Sequence, residues 1–267
     1  MITLILGDSD LPIKIISKLK RIKKKFVIID LSKKNKFKNV KNSYRVKIGK
    51  FGQMIKLIKE IKSNKVLFAG KIAKPKFSSL RLDFKGIYYM PGLIKAAKKG
   101  DAAIIKEIIK ILNMEGIKVI SSIYFNPELS LNAKNHTKIK PDEGDLVSIK
   151  KGINYFKKLN DLDHVQALIV KNKRIIAKEG VQGTKTMLSN LKKKTHGVLI
   201  KFPKKKQDLR IDLPTIGLQT LKDCKRYGLK GVVLRSKKNI VLDSNKCIQF
   251  ANKNKMFINV IWKKYLY

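Results

Sequence analysis

The feature that most constrains the fold is an alternation of short apolar runs with longer segments whose apolar residues recur every three or four positions. In the first half, ITLILG, FVIIDLS, KVLFAGK and IKVISS are typical of strands. The segments LPIKIISKLKRIKKK, FGQMIKLIKEIKSN and DAAIIKEIIKILNMEG show the helical period. Strands and helices in alternation form a parallel sheet with helices over its faces. We therefore predict an α/β domain whose ligand lies beyond the carboxyl ends of the strands.

The second half shows a different order of segments and is predicted to be a separate α/β domain. Residues 126–145, NPELSLNAKNHTKIKPDEGD, are rich in Asn, Pro and charge without an apolar period. We therefore place the N-terminal domain at 1–130, a linker at 131–145 and the C-terminal domain at 146–267. In this last part we expect a hairpin turning near Asn172, a helix from TMLSNLKKK, a strand from GVLIKF, a helix from LQTLKDCKRYG, and GVVLR in a hairpin with NIVLD.

The charge of the chain is strongly positive, with 62 Lys and Arg against 19 Asp and Glu and a formal net charge of +43. Such a balance favours nucleic acid or an anionic membrane surface as a partner. Only seven of the basic residues are arginine, the side chain that base recognition prefers, and the 7% aromatic content offers no stacking platform. We therefore do not expect nucleic-acid binding. Lysines spread over solvated faces by an AT-rich genome are the alternative to a functional attraction for anions.

The two cysteines, Cys224 and Cys247, are far apart in the sequence and show no metal-ligand spacing. Few cysteines fit a reducing compartment. The N-terminus starts directly with a strand-like run instead of a basic and apolar leader, and every apolar run is shorter than the roughly 20 residues that span a bilayer. The sequence predicts a cytoplasmic protein that is soluble or peripheral to a membrane.

The turn after the first strand does not have the composition of a dinucleotide site. It reads GDSDLP, with Gly7 as its one glycine where G-x-G-x-x-G is needed, and Asp8 would repel a pyrophosphate. A plain strand-to-helix turn capped by Ser9 or Asp10 is the alternative. A glycine-rich loop with the spacing of nucleotide triphosphatases is also missing from the sequence. We therefore reject a dinucleotide site, and kinase or ATPase chemistry loses its main support.

Two further stretches contain groups that bind anions. In FAGKIAKPKFSSLRLDFKG, Gly70 permits close backbone approach, and Lys71, Lys74 and Arg81 could bind a phosphate; a solvated basic loop is the alternative. In QGTKTM, Gly183 and Thr184 precede a predicted helix whose first turn could bind an anion. Thr184 as a simple helix N-cap is the alternative there.

The stretch KFPKKKQDLRIDLPTIG combines two aspartates with several lysines and an arginine. Asp212 precedes Leu213 and Pro214, so it could cap a helix that starts there. The functional alternative is a Mg²⁺-assisted phosphate site, because a carboxylate can hold Mg²⁺ while cations neutralise the phosphate oxygens. The candidate binding residues around Asp212 are Lys201, Lys204, Gln207, Arg210 and Thr215.

Taken together, these motifs resemble the UDP-2,3-diacylglucosamine pyrophosphatase family of lipid A biosynthesis, the type unrelated to the metallophosphoesterase form. The likeness is carried by GDSDLP, FGQMIKLIKE, FAGKIAKPKFSSLRLDFKG, KKGDAAIIKEI with MEG, QGTKTM and, above all, KFPKKKQDLRIDLPTIG. The last is close to the family pattern K-x-P-K-x-x-Q-x-x-R-x-D-L-P-T-x-G. In order and spacing, the likeness runs nearly end to end.

The resemblance implies a fold and an activity. The fold is a Rossmann-like N-terminal domain and a distinct α/β C-terminal domain, with the substrate cleft between them. The activity is Mg²⁺-dependent hydrolysis of UDP-2,3-diacylglucosamine to UMP and 2,3-diacylglucosamine 1-phosphate (lipid X). Because this substrate is a membrane lipid, the resemblance also implies peripheral contact with the anionic cytoplasmic face of a membrane.

The resemblance also implies roles for single residues. The aspartate on which the family depends falls on Asp212, which is the predicted catalytic residue and metal ligand; Asp208 is expected to support the loop. Glu179 is the second implied metal ligand. The implied substrate-binding residues are Gly70, Lys71, Lys201, Lys204, Gln207, Arg210, Thr215, Gly183 and Thr184.

The chain departs from the family pattern in KEGVQGTKTM, where Gln182 and Lys185 stand at positions that are usually acidic. A loss of acids there could reduce activity or alter the demand for metal. A module that binds a nucleotide-sugar lipid without cleaving it therefore remains an alternative, as does a basic protein associated with nucleic acid. Release of UMP from UDP-diacylglucosamine separates these alternatives.

Overall fold

The computed structural model describes residues 1–72, 76–159, 165–204 and 207–262. The chain divides into two compact units. The first contains Met1–Pro127 together with Asp208–Asp212, and the second contains Glu128–Gln207 and Leu213–Tyr267. A five-residue segment from late in the sequence thus belongs to the N-terminal unit.

The first unit is a five-stranded parallel sheet with helices. Its strands are β1 (Ile2–Leu6), β2 (Phe26–Asp30), β3 (Ser43–Arg45), β4 (Lys65–Ala69) and β5 (Lys118–Ile120). Its helices are α1 (Leu11–Arg21), α2 (Phe51–Glu60), α3 (Phe84–Lys98) and α4 (Asp101–Met114). The strand order is β3-β2-β1-β4-β5, and all pairs are parallel. This is the doubly wound order of Rossmann-like folds, so the predicted fold class is confirmed for this unit.

The strand order reverses direction between β1 and β4, which lie side by side. The register pairs Thr3 with Val66 and Leu6 with Ala69, so both strands end at the same edge of the sheet. In sheets of this type ligands bind in the crevice outside the carboxyl ends at such a reversal. The residues that follow β1 and β4 are therefore the first place to look for a site.

Helix α3 was not predicted, because Pro91 and Gly92 interrupt its sequence. Proline in a helix interior lacks the N–H that would bond to the carbonyl of residue 87, and both residues disfavour the helix. The helix nevertheless runs unbroken from Phe84 to Lys98. Buried Leu93 and Ala96 face the core, so tertiary packing overrides local propensity here.

The second unit is a mixed six-stranded sheet with a small two-stranded sheet beside it. Its strands are β6 (Lys134–Asn135), β7 (Ala167–Lys171), β8 (Arg174–Lys178), β9 (Val198–Lys201), β10 (Thr215–Ile216), β11 (Gly231–Arg235), β12 (Ile240–Val241) and β13 (Phe257–Ile261). Its helices are α5 (Glu143–Lys158), α6 (Thr184–Ser189), α7 (Leu218–Arg226) and α8 (Ser244–Lys253). The large sheet has the order β6-β13-β11-β9-β7-β8, with β13, β11 and β9 parallel.

Alternate residues of this sheet fill two separate cores. Ile169, Leu199 and Val232 face α6, α7 and α8, whereas Val170 and Ile200 face α5. The β7–β8 hairpin turns at Asn172 and Lys173, both of which have positive φ, as predicted. The prediction of a distinct second α/β domain is confirmed.

In the second half the structure contradicts one local prediction, excludes one alternative and adds a strand within the expected linker. NIVLD is not a hairpin partner of GVVLR: β12 pairs in parallel with β10, and β11 lies between β9 and β13. No helix starts at Leu213 and Pro214, because strand β10 follows and α7 begins only at Leu218, so Asp212 is not a helix cap. Within the expected linker, β6 pairs with β13 at the edge of the large sheet.

Candidate active site

A pocket of about 400 Å³ lies in the first unit at the reversal of its strand order. Of the sixteen described residues that line it, twelve are apolar, and six of these twelve belong to α2, α3 and α4. The other four are Gly70, Lys71, Asp101 and Asp212. The pocket thus combines a wide apolar wall with two carboxylates and one ammonium group.

Asp212 reaches this pocket because its segment packs on the N-terminal core. The backbone N–H of Ser122 donates to the carbonyl of Arg210 (2.7 Å), and Ile211 packs against the apolar cluster of the first unit. The N–H of Asp212 donates to the carbonyl of Asp208 (3.0 Å), which closes the turn. Asp212 is half-buried. The structure therefore places Asp212 on the wall of this pocket.

The second carboxylate of the pocket belongs to Asp101, the first residue of α4. It follows Gly100, whose φ of 103° allows the chain to turn into the helix. A carboxylate in the first turn is favoured by the helix dipole, so the position also has a local structural explanation. The structure places Asp101 on the wall that Asp212 also lines.

Gly70 and Lys71 are held at the pocket by a close approach of the two central strands. Asp8 and Lys71 exchange backbone hydrogen bonds: the N–H of Asp8 donates to Lys71 (2.8 Å), and the N–H of Lys71 donates to Asp8 (2.5 Å). Gly7 belongs to the same contact, because a Cβ there would lie 2.5 Å from the Lys71 carbonyl oxygen. The glycine after β1 is thus needed for strand packing. Lys74 lies outside the described residues.

Asp30 gives a further reason to exclude a dinucleotide site. In dinucleotide-binding folds an acid about 20 residues after the glycine turn binds the ribose hydroxyls. Asp30, at the end of β2, is fully buried, and its carboxylate accepts hydrogen bonds from the N–H groups of Ser32 (2.7 Å) and Phe37 (3.0 Å). These hydrogen bonds stabilise the turn that follows β2, a role that the sequence analysis did not identify.

Asp208 and Arg210 form a local ion pair. The Arg210 guanidinium donates from Nη2 (2.7 Å) and Nε (3.0 Å), and the backbone N–H adds a third bond to the same carboxylate. The bond from the Arg210 side chain is the main reason why the pKa of Asp208 lies below its usual value. The expectation that Asp208 supports the loop is confirmed. Arg210, predicted to bind substrate, uses its planar fork in this pair.

The other predicted residues lie in the second unit, where Glu179, Thr184 and Lys201 form a chain. The Nζ of Lys201 donates to the Thr184 hydroxyl (2.6 Å), which donates to Oε1 of Glu179 (2.7 Å). Oε2 of Glu179 accepts from the N–H of Gln166 (3.2 Å). Lys201 and Glu179 are buried, so the chain fixes the position of an ammonium group. Thr184 is not the helix N-cap; Gly183, with φ 86°, has that place.

Gln207 and Lys204 belong to the same part of the second unit. Oε1 of Gln207 accepts from the Gln166 side chain (2.8 Å) and from the N–H of Lys204 (2.8 Å). Nε2 of Gln207 is buried, and no hydrogen-bond acceptor for it is found among the residues that the structure describes. A buried donor without a partner is costly, so this group is suited to an added acceptor. Thr215 starts β10, and its hydroxyl donates to the carbonyl of Leu213 (2.9 Å).

The structure therefore divides the predicted site residues between two units. Gly70, Lys71 and Asp212 line one pocket, and Arg210 lies two residues from Asp212 in the same unit. The members of the second group are in the other unit: Glu179, Gly183, Thr184, Lys201, Lys204, Gln207 and Thr215.

The pocket contains two carboxylates that could hold a divalent metal ion. Among the residues that the structure describes, no group of three or more His, Cys, Asp or Glu side chains could hold a metal ion. Mg²⁺ needs less, since one or two carboxylates with water and substrate phosphates complete its shell. Asp101 and Asp212 supply two such carboxylates at one pocket.

Comparison with known proteins assigns both halves of the chain. A model described as the LpxI N-terminal domain matches residues 1–129, and one described as the LpxI C-terminal domain matches residues 132–259. The chain belongs to the LpxI family. A curated member, UDP-2,3-diacylglucosamine pyrophosphatase LpxI of Caulobacter vibrioides, is 30% identical over 223 residues, which cover 80% of each sequence. The family expected from the motifs is confirmed.

Proposed function

We propose that this LpxI-family chain hydrolyses the pyrophosphate bond of UDP-2,3-diacylglucosamine, giving UMP and 2,3-diacylglucosamine 1-phosphate. The observation that carries the proposal is the match of both LpxI domain models along almost the whole chain, with a relative of that activity at 30% identity. The pocket supports it chemically, because its wall combines carboxylates and an ammonium group with a large apolar surface. A substrate with a diphosphate and two acyl chains needs both kinds of surface.

The reaction adds water across a phosphoric anhydride. The oxygen of water bonds to one phosphorus, the bridging P–O bond breaks, the other phosphate keeps the bridging oxygen, and a proton is released. In this proposal Asp212 and Asp101 hold Mg²⁺, which supplies charge neutralisation to the phosphate oxygens when bound. Lys71 adds positive charge at the same wall, and the apolar residues of α2, α3 and α4 bind acyl chains and exclude water.

The buried chain in the second unit supplies a fixed cation. The Lys201 ammonium donates a hydrogen bond to the Thr184 hydroxyl, which donates one to Glu179. Glu179 thus fixes the hydroxyl of Thr184, and the hydroxyl in turn fixes Lys201. In this proposal Lys201 binds a phosphate group of the nucleotide, and Glu179 orients it. Glu179 as a metal ligand stays a prediction; its two oxygens already accept hydrogen bonds from Thr184 and Gln166.

We also propose that the chain acts in the cytoplasm, in peripheral contact with the membrane that contains its lipid substrate. Within the described part of the chain, no helix combines the length and the apolarity that a transmembrane segment needs. A formal charge of +43 favours an anionic surface, by roughly 1 kcal/mol for each lysine or arginine close to it.

Release of UMP from detergent-dispersed UDP-2,3-diacylglucosamine tests the proposed function. We expect wild-type turnover with Mg²⁺, loss of turnover with EDTA, and a loss on the order of 10²–10³-fold in Asp212→Ala. Asp208→Ala is the matched control. It removes a carboxylate four residues away whose partner is Arg210, so it should keep most of the activity.

Other results would replace the proposal. Tight binding of the substrate without UMP release indicates a lipid-binding module. Retention of nucleic acid without release or binding of the lipid indicates a nucleic-acid-associated protein. Equal activity in Asp212→Ala and Asp208→Ala removes the assigned role of Asp212.

A further inference from the structure

One face of α3 exposes a continuous row of apolar side chains. The row, here called the α3 stripe, contains Phe84, Ile87, Tyr88, Pro91 and Ile94. At about 100° per residue these positions fall within roughly 120° of the helix circumference. Phe84 exposes 87% of its surface, Tyr88 69% and Ile87 62%. Single exposed apolar residues are ordinary, but a contiguous apolar row marks an interaction surface.

The opposite face of α3 is already used by the fold. Gly86, Leu93 and Ala96 are buried, and Met90 and Leu93 line the pocket of the candidate active site. A helix that is apolar on both faces is normally covered on both. The stripe is therefore not needed for the packing of the first unit and is available for contact outside it.

The surroundings of the stripe contain no uncompensated carboxylate on α3. The helix sequence FKGIYYMPGLIKAAK lacks Asp and Glu. The carboxylate of Asp83, just before it, accepts hydrogen bonds from the N–H groups of Gly52, Gln53 and Gly86. The basic residues at the two ends of the stripe are exposed: Arg81, Lys95, Lys98 and Lys99.

Glu107 on α4 and Glu115 just beyond it also have basic partners. Glu115 binds Lys59 (2.7 Å), Lys85 and the hydroxyl of Tyr89 (2.7 Å). Glu107 lies beside Gly92 and has Lys110 at 3.9 Å. The apolar stripe is thus bordered by net positive charge, which is the composition of helices that lie in the interface of anionic bilayers.

We propose that the α3 stripe inserts into the interfacial region of an anionic lipid bilayer. A bilayer matches both the apolar row and the cations at its ends. A second copy of the chain matches less well, because each copy brings the same charge of +43. The inference rests on the proposed function in one respect, that the substrate is a membrane lipid. Insertion would bring α3 into contact with the membrane, and α3 also lines the pocket.

Binding of the full chain to vesicles in the absence of substrate tests this. We expect binding to vesicles of 3:1 phosphatidylcholine and phosphatidylglycerol at low salt, and weak binding to phosphatidylcholine alone. Phe84→Ser/Tyr88→Ser should lower the partition coefficient by about tenfold or more, since two aromatic side chains no longer enter the interface. Val181→Ser is the matched control: Val181 is 86% exposed, close to the 87% of Phe84, but lies in the second unit.

A fluorophore reports insertion directly. The native Cys224 and Cys247 are buried, and burial raises the pKa of both thiols, so a surface cysteine reacts selectively. An environment-sensitive dye on Phe84→Cys should brighten with anionic vesicles, whereas the same dye on Val181→Cys should not.

Three results would overturn the inference. They are unchanged vesicle binding of Phe84→Ser/Tyr88→Ser, equal dye responses at positions 84 and 181, and a serine variant that dissociates a dimer while binding vesicles as before. The last result would assign the stripe to a second copy.

The UMP release of the Phe84→Ser/Tyr88→Ser variant from detergent-dispersed substrate is measured separately and should equal that of the wild type. Failure of the proposed function would show as no release from either protein, whatever the vesicles show.

Discussion

Gly70 is required by two independent constraints. Its φ of 89° lies where side chains other than glycine are strained, and a Cβ would lie 2.7 Å from the carbonyl oxygen of Asp8. The obstacle is backbone of the neighbouring strand, so it cannot rotate away. The residue fixes the place where Lys71 leaves β4 and reaches the pocket.

A comparison of Gly70→Ala with Gly116→Ala separates the two constraints. We expect Gly116→Ala, with φ 78° and nothing within 4 Å of the added Cβ, to lower the free energy of unfolding by about 1 kcal/mol. Gly70→Ala should lower it by about 2–4 kcal/mol, because steric overlap adds to the strain. Urea denaturation measures both. Equal losses would show that the strands move apart at little cost.

At this scale the sequence predicted local roles better than distant contacts. Asp208 and Arg210 are two residues apart, so their pairing follows from spacing. Lys201, Thr184 and Glu179 are separated by a helix and a strand, and only the fold shows that they form one chain. The pattern identified these three residues through family resemblance but could not show that Glu179 uses its oxygens within the protein.

At the scale of elements, one carboxylate caps two helices. Asp83 is the N-cap of α3 and accepts the N–H of Gly86 (2.8 Å); it also accepts the N–H groups of Gly52 (3.0 Å) and Gln53 (2.9 Å) in the first turn of α2. Lys50, the N-cap residue of α2, makes no side-chain cap hydrogen bond. Asp83 therefore joins the starts of two helices that line the pocket.

Removal of this cap should destabilise the first unit in a pH-dependent way. Burial favours a higher pKa for Asp83, but the hydrogen bonds from Gly52, Gln53 and Gly86 outweigh it and lower the pKa below 3.8. A lowered pKa means that the stabilisation is complete above the unfolded value and is lost as pH falls through the folded value. Asp83→Ala should cost about 1–3 kcal/mol at pH 7, and less as the pH falls through the lowered pKa of Asp83.

Asp10→Ala is the control for Asp83→Ala. Asp10 also occupies an N-cap position, that of α1, but makes no side-chain cap hydrogen bond. Urea denaturation should show only a small loss of stability in Asp10→Ala. If Asp10→Ala lowers the free energy of unfolding as much as Asp83→Ala does, the hydrogen bonds from the start of α2 to the Asp83 carboxylate do not stabilise the protein.

The elements that the sequence predicted are those with a clear period or a clear turn. Strands β1, β2 and β4 are continuous apolar runs, and α1, α2 and α4 have the helical period. Helix α3 was missed because Pro91 and Gly92 oppose it locally, and β10 was missed because Leu213 and Pro214 read as a helix start. The α3 stripe was missed with its helix, since apolar residues in a presumed loop form no face.

At the scale of the whole molecule, charge is the property that no local contact explains. The chain has 62 basic residues and only 19 acids, so its positive charges exceed its negative charges by 43. Such a surface repels itself in the folded state, where the charges are closest together. The same surplus favours anionic bilayers, so the proposed membrane contact and the self-repulsion have one origin.

Salt should therefore stabilise this protein. The screening length falls from about 30 Å at 0.01 M salt to about 10 Å at 0.1 M, which weakens lysine repulsion across the surface. We expect the thermal unfolding midpoint to rise by about 2–6 °C over this range, for roughly 1–2 kcal/mol of relieved repulsion. A midpoint that falls with salt would mean that ion pairs such as Lys59–Glu115 contribute more to stability than the surplus charge removes.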